Sequence, residues 1–238
     1  ANAFLIHRQR AMGGARSRCR RPRCHAFNTF FFSRLTRGRG HGPVDYTAVR
    51  RWTRGVDLFA HDALLVPVHQ GSSHWILLVV VVRDKTVAVF DSLGSGARPQ
   101  AEALLQYLSH EHRDRTGEPL DASNWRVLVP GFRPLQANSS DCGLFMLRAA
   151  HCFCVGTPWA FDQSDMDAYR LAMANMLLVV AGALPAPRLD QLEGQVPSTQ
   201  AAPGVQGAVG GGPSAGISAS PGARWAAAWD PAHLGFLS

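Results

Sequence analysis

The chain has 238 residues, long enough for one full-sized core with sequence to spare, and 46% of it is hydrophobic. Its formal net charge of +7 comes almost wholly from arginine, since Lys85 is the sole lysine, and this balance favours acidic partners. The longest apolar stretch, 172–184, is broken by Asn175 and falls short of the ~18 residues that a membrane span needs, so the sequence reads as soluble, with no membrane partner.

In chain order, the first segment is arginine-rich: Arg8, Arg10, Arg16, Arg18, Arg20, Arg21 and Arg23 lie among Gly and Pro. Residues 1–26 read as a solvated N-terminal segment that could contact nucleic acid or direct the chain to the nucleus. Cys19, Cys24 and His25 make three candidate zinc ligands without a second paired set, short of a tetrahedral site; no metal and no organic cofactor is expected. The five cysteines form an uneven set with no apolar secretory signal before them, which points to a reducing, intracellular setting.

Residues 27–184 read as one α/β unit. Ala63 to Val68, Trp75 to Val82 and Thr86 to Phe90 are predicted strands; Arg83, Asp84 and Lys85 form a hairpin loop between the last two. Leu104, Leu105 and Leu108 predict a helix over 101–112, and 124–129 a further strand before Pro130 and Gly131. One helix opens at Asp141 and runs towards Gly156. Another opens at Ser164, with Asp167 in capping-box position, and runs to Leu184. From 185 onward Pro, Gly, Ala, Ser and Gln dominate, predicting a disordered tail; Trp225 and Trp229 within it have the spacing of a short docking helix.

Chemistry concentrates at a few positions. Cys142 would be the first residue of its helix, where unpaired backbone N–H groups and the helix dipole favour a thiolate. Gly143 leaves the backbone beside that sulfur uncovered. Cys152 and Cys154, towards the other end of the helix, read as structural. Of ten histidines, His74 stands out because it directly precedes an apolar strand, while His69, His110, His112 and His151 read as surface residues. Asp91 ends the partner strand, so the two side chains share one open end. A loop centred on Asp84 and Lys85 would place His74 opposite position 95, about 13 Å along the strand from Asp91, a gap that a bulge or a bend at Ser72 and Ser73 would have to close. By position alone Asp91 is equally a solvated turn residue. Gln136, six residues before Cys142, could donate its amide to a developing oxyanion.

The ordered set His74, Asp91, Gln136, Cys142, within VDLFAHDALLVPVHQGSSHW, VFDSLG and QANSSDCGLF, strongly resembles the Ulp/sentrin-specific (SUMO) protease family. HAFNTFFFSRL, AVRRWTRGVDLF and SDMDAYRLAM add to the resemblance, which covers about 3–184. It implies an α+β, papain-like cysteine peptidase fold: a central mixed sheet flanked by helices, with the nucleophile at a helix N-terminus. It implies His74 as base, Asp91 as its orienting group, Cys142 as nucleophile and Gln136 in the oxyanion hole. Trp75 matches a tryptophan lining the slot for the modifier's two glycines. The implied partners are SUMO and SUMO-conjugated proteins, and the implied location is the nucleus, with the cytoplasm as a second site. A Rub-type modifier peptidase and a catalytically impaired modifier-binding protein are the alternatives. Arg50, Arg51 and Arg54 would suit an acidic partner.

Three departures from the family pattern are visible. The family's opening Trp-Leu-Asn-Asp segment does not occur, and NAFLIHRQRAMGG resembles the helix after it, as in an N-terminally shortened domain lacking one wall of the slot. GSSHW carries one extra residue in the turn before the base. Ser139 stands where glycine is usual, which would strain the loop if that position had positive φ.

Overall fold

A computed structural model describes residues 22–71, 73–129, 134–157 and 159–183. The expectations for the arginines from Arg8 to Arg21, Cys19, the Pro130–Gly131 break, the tail and its tryptophans lie outside the described residues.

Five strands form one mixed sheet in the order β1-β2-β3-β4-β5. They are β1 (Cys24–Ala26), β2 (Ala63–Gln70), β3 (His74–Val81), β4 (Thr86–Phe90) and β5 (Arg126–Leu128). β1 is parallel to β2, β2, β3 and β4 run antiparallel in turn, and β5 is parallel to β4. The near-continuous aliphatic runs in β2, β3 and β4 reflect burial of both sheet faces. One face, through Ile76, Leu78, Val80, Val87 and Val89, packs against α1 (Phe31–Leu35) and α2 (Arg98–Thr116). The other, through Leu65, Leu77, Val79, Ala88 and Phe90, packs against α3 (Cys142–Val155) and α4 (Met166–Val180).

Several boundaries differ from the sequence expectation. Strand β1, placed by sequence in the N-terminal segment, is part of the sheet, and the backbone N–H of Arg23 donates to Asp62 at 2.7 Å. The folded unit therefore starts before residue 27. Helix α2 is longer than 101–112 because Pro99 suits its first turn and Gly117, at φ 79°, closes it. Helix α4 starts later than Ser164: the capping box is formed by Asp162 and Asp165, and a short 3-10 turn, Gln163–Asp165, leads into it. Both pairs have capping-box spacing; tertiary contacts of Gln163 select the earlier one.

Candidate active site

The start of β3, the end of β4 and the start of α3 meet at one end of the sheet. Leu77 faces Phe90 and Val81 faces Thr86, so by extension His74 faces position 93 rather than 95. The offset from Asp91 is two residues, a diagonal neighbour at about 7 Å between backbones, which long side chains span. β2 and β3 pair without interruption from Ala63↔Val81 to Gln70↔His74, so no bulge is needed. His74 Nε2 lies 2.7 Å from Asp91 Oδ1, and both side chains are largely buried.

Asp91 accepts four hydrogen bonds: from His74, from the Leu93 backbone N–H at 2.9 Å, and from the backbone N–H (3.1 Å) and hydroxyl of Ser95. Burial pushes its carboxyl up, but the Ser95, His74 and Leu93 donors outweigh this and hold it below the usual carboxylate range. An ionised carboxylate can only accept, so Nε2 of His74 carries the hydrogen and Nδ1 is the nitrogen left to exchange a proton.

Cys142 is the first residue of α3 and is buried. Its thiol donates to the Ser73 carbonyl at 3.9 Å, so the sulfur sits against the residue preceding His74, in the turn that carries the extra serine. Asp141 holds the N-cap position, yet its carboxylate does not cap the helix. It accepts instead from Asn138 Nδ2 (2.7 Å), Gln163 Nε2 (2.6 Å) and the guanidinium of Arg170 on α4. The first backbone N–H groups of α3 are thus not taken up by the cap side chain, leaving their partial positive charge at the sulfur.

Gln136 is buried in the loop before α3, its backbone N–H donating to the Ser92 carbonyl at 3.0 Å. Its side-chain oxygen accepts from the Ser92 hydroxyl at 2.5 Å and its amide nitrogen donates to the Asn138 carbonyl at 2.5 Å, which leaves the second amide hydrogen for another acceptor. Asp91 and Ser92 therefore fix both His74 and the Gln136 loop from one strand end. Ser92, Ser95 and Asn138 were not singled out from sequence; small polar residues at a strand end and before a helix were the available signal. Ser139 is unstrained, because the non-glycine residues with positive φ among those described are Arg37 and Lys85.

Trp75 is half-buried beside the helix start: a Cβ on Gly143 would lie 3.6 Å from its ring. His69, opposite Trp75 on β2, stacks on the indole at 4.3 Å between ring centroids, a contact that position alone did not reveal. The other thiols differ from Cys142. Cys24 and Cys154 meet in the core, where their mutual hydrogen bond and then burial push the Cys24 thiol up; burial likewise raises Cys152. With Cys24 so engaged and His25 packed between the rings of Phe27 and His61, that pair is not arranged to hold zinc. No described group of His, Cys, Asp and Glu has the arrangement of a metal site, and no described helix is long and apolar enough to cross a membrane.

A thiol at a helix start, apposed to a sheet that carries a His–carboxylate pair, within an α+β fold, is the arrangement of papain-like cysteine peptidases. The described chain aligns with Ulp1 protease structures at a TM-score of 0.57 and 24% identity, over 75% of this chain and 76% of the other; one is the C-terminal Ulp1 protease domain in complex with Smt3, the yeast ortholog of SUMO. Residues 5–180 match the model of the Ulp1 protease family, C-terminal catalytic domain, and the chain belongs to that family. It is 36% identical over 159 residues to Sentrin-specific protease 2 of Homo sapiens, covering 66% of this chain, and 38% identical over 152 residues to a Sentrin-specific protease of Caenorhabditis elegans, covering 64%. The chain spans only 26% and 21% of those two proteins.

Proposed function

We propose that this chain is a SUMO-specific thiol isopeptidase, cleaving after the modifier's terminal Gly-Gly both in its precursor and in its conjugates to lysine. The observation that carries this reading is the 2.7 Å His74–Asp91 contact at the sheet end where Cys142 begins its helix.

In this reading His74 Nδ1 takes the Cys142 proton, and the thiolate attacks the carbonyl carbon of the last glycine. The oxyanion is met by the free amide hydrogen of Gln136 and the helix-start N–H groups. The imidazolium returns its proton to the departing amine, leaving a thioester that water, deprotonated by His74, then hydrolyses. Trp75, braced by His69, forms a flat wall that admits residues without Cβ atoms. SUMO and its conjugates are the proposed partners, supported by the similarity to sentrin-specific proteases, and the nucleus is the proposed location.

The test is incubation with SUMO, Rub and ubiquitin carrying C-terminal electrophiles. A SUMO adduct that disappears in Cys142→Ala is expected, and His74→Ala should label about 10²–10⁴-fold more slowly. Labelling that survives Cys142→Ala removes the proposed nucleophile, and binding of SUMO without labelling of the wild-type chain identifies a modifier-binding protein.

A further inference from the structure

The C-terminal end of α2 carries a second concentrated charge. Arg50, Arg51, Arg54 and Arg115, with Asp114, line an open pocket of about 420 Å³. Its walls are fixed from within. Arg50 forks onto Asp114, with Nε–Oδ2 at 2.8 Å and the second bond at 2.5 Å. Arg115 bonds Glu111 at 3.0 Å, the Val56 carbonyl at 3.1 Å and the Thr53 carbonyl, while buried Thr53 donates to Glu111 at 2.9 Å. No ion pair is found for Arg51 or Arg54 among the described residues, and both are exposed. Four guanidiniums thus meet two carboxylates, Asp114 and Glu111, an excess of two positive charges.

The pocket is remote from the thiol. Helix α2 starts seven residues after Asp91, at the catalytic end of the sheet, and Asp114 lies sixteen residues further on, about 24 Å along the axis. It also lies on the sheet face opposite α3.

We propose that this pocket binds a compact, multiply charged phosphate ligand, a free polyphosphate or a phosphorylated small molecule. Guanidinium forks match phosphate oxygens in pairs. The volume is that of a small-molecule site, and convergence of the arginines around a concavity suits a compact anion better than the broad face of an acidic protein. Arg51 and Arg54 supply the uncommitted charge; Arg50 and Arg115 form the pre-set frame.

Calorimetric titration of the full chain with sodium tripolyphosphate tests this. The expected result is saturable one-to-one binding that weakens at least tenfold in Arg51→Ala/Arg54→Ala and is partly retained in Arg51→Lys/Arg54→Lys. Melting temperature should stay unchanged in both variants. Absence of saturable binding, or equal binding by the alanine variant, overturns the proposal. So does displacement of tripolyphosphate by a tighter-binding single-stranded oligonucleotide or poly-glutamate peptide, which assigns the arginines to a macromolecule. The binding readout does not depend on Cys142, so the outcome is independent of the peptidase reading.

Discussion

At the residue scale, the site is governed by what each polar group is left free to do. Asp91 spends all its hydrogen-bonding on holding one imidazole and one loop, so Asp91→Asn should fold yet label SUMO electrophile about 10²–10⁴-fold more slowly. Because the folded carboxyl lies below its unfolded value of about 3.9, its contribution to stability is present above that pH and lost as pH falls through the folded value. The melting-temperature gap between wild type and Asp91→Asn should accordingly shrink below about pH 4. Gly143 offers a separate test of the slot. A Cβ there meets the Trp75 ring at an ordinary 3.6 Å, so Gly143→Ala should keep or slightly raise the melting temperature. It should nonetheless slow labelling at least tenfold, because the methyl narrows the approach to the sulfur; unchanged labelling would show that substrate does not pass between Trp75 and the helix start.

At the element scale, α3 is aimed by its neighbours rather than by its own cap. Asp141 ties the preceding loop through Asn138, the 3-10 turn through Gln163 and α4 through Arg170. Asn138 donors and then Gln163 and Arg170 hold its carboxyl below the usual range against burial. Asp141→Ala leaves Asn138 and Gln163 without their acceptor and should cost about 2–3 kcal/mol by chemical denaturation. Arg170→Ala removes a half-exposed partner and should cost about 1 kcal/mol or less. Gln163→Ala removes both a donor to Asp141 and the acceptor of the Ala137 backbone N–H, and should show a measurable loss of stability by chemical denaturation.

At the scale of the whole molecule, two helical layers enclose one sheet and leave opposite ends for different chemistry, the thiol at one and the arginine pocket at the far end of α2. The sheet is completed by β1, and the described fold runs from before Cys24 to the end of α4. A chain cut after residue 184 should keep both its melting temperature and its Cys142 labelling rate, whereas removal of residues 1–26 should lower the melting temperature by stripping β1 from β2. Limited proteolysis followed by mass measurement reports the same boundary.

Much of this was legible in sequence. The aliphatic runs of β2, β3 and β4 announce strands, Asp141 and Gly156 bracket α3, and Cys142, His74, Asp91 and Gln136 stand out as an ordered set. Local pattern is enough for these because secondary structure and chemical capacity are properties of short segments. Register, caps and supports were not legible. The hairpin loop could close in more than one register, and the tight turn from Val82 to Lys85, with the Lys85 N–H donating to the Val82 carbonyl at 3.2 Å and Lys85 at φ 47°, sets the one that brings His74 diagonal to Asp91. Asp141 has the type and position of a helix cap, but distant donors on Gln163 and Arg170 claim its carboxylate. Ser92, Ser95 and His69 carry no signal of their own until the strand ends and ring faces are brought together. Sequence determined which groups are available to act; the tertiary structure decided which of them meet, because hydrogen-bond partners 17 to 44 residues apart, from His74–Asp91 to Ser92–Gln136, are chosen by the packing of the sheet and its helices.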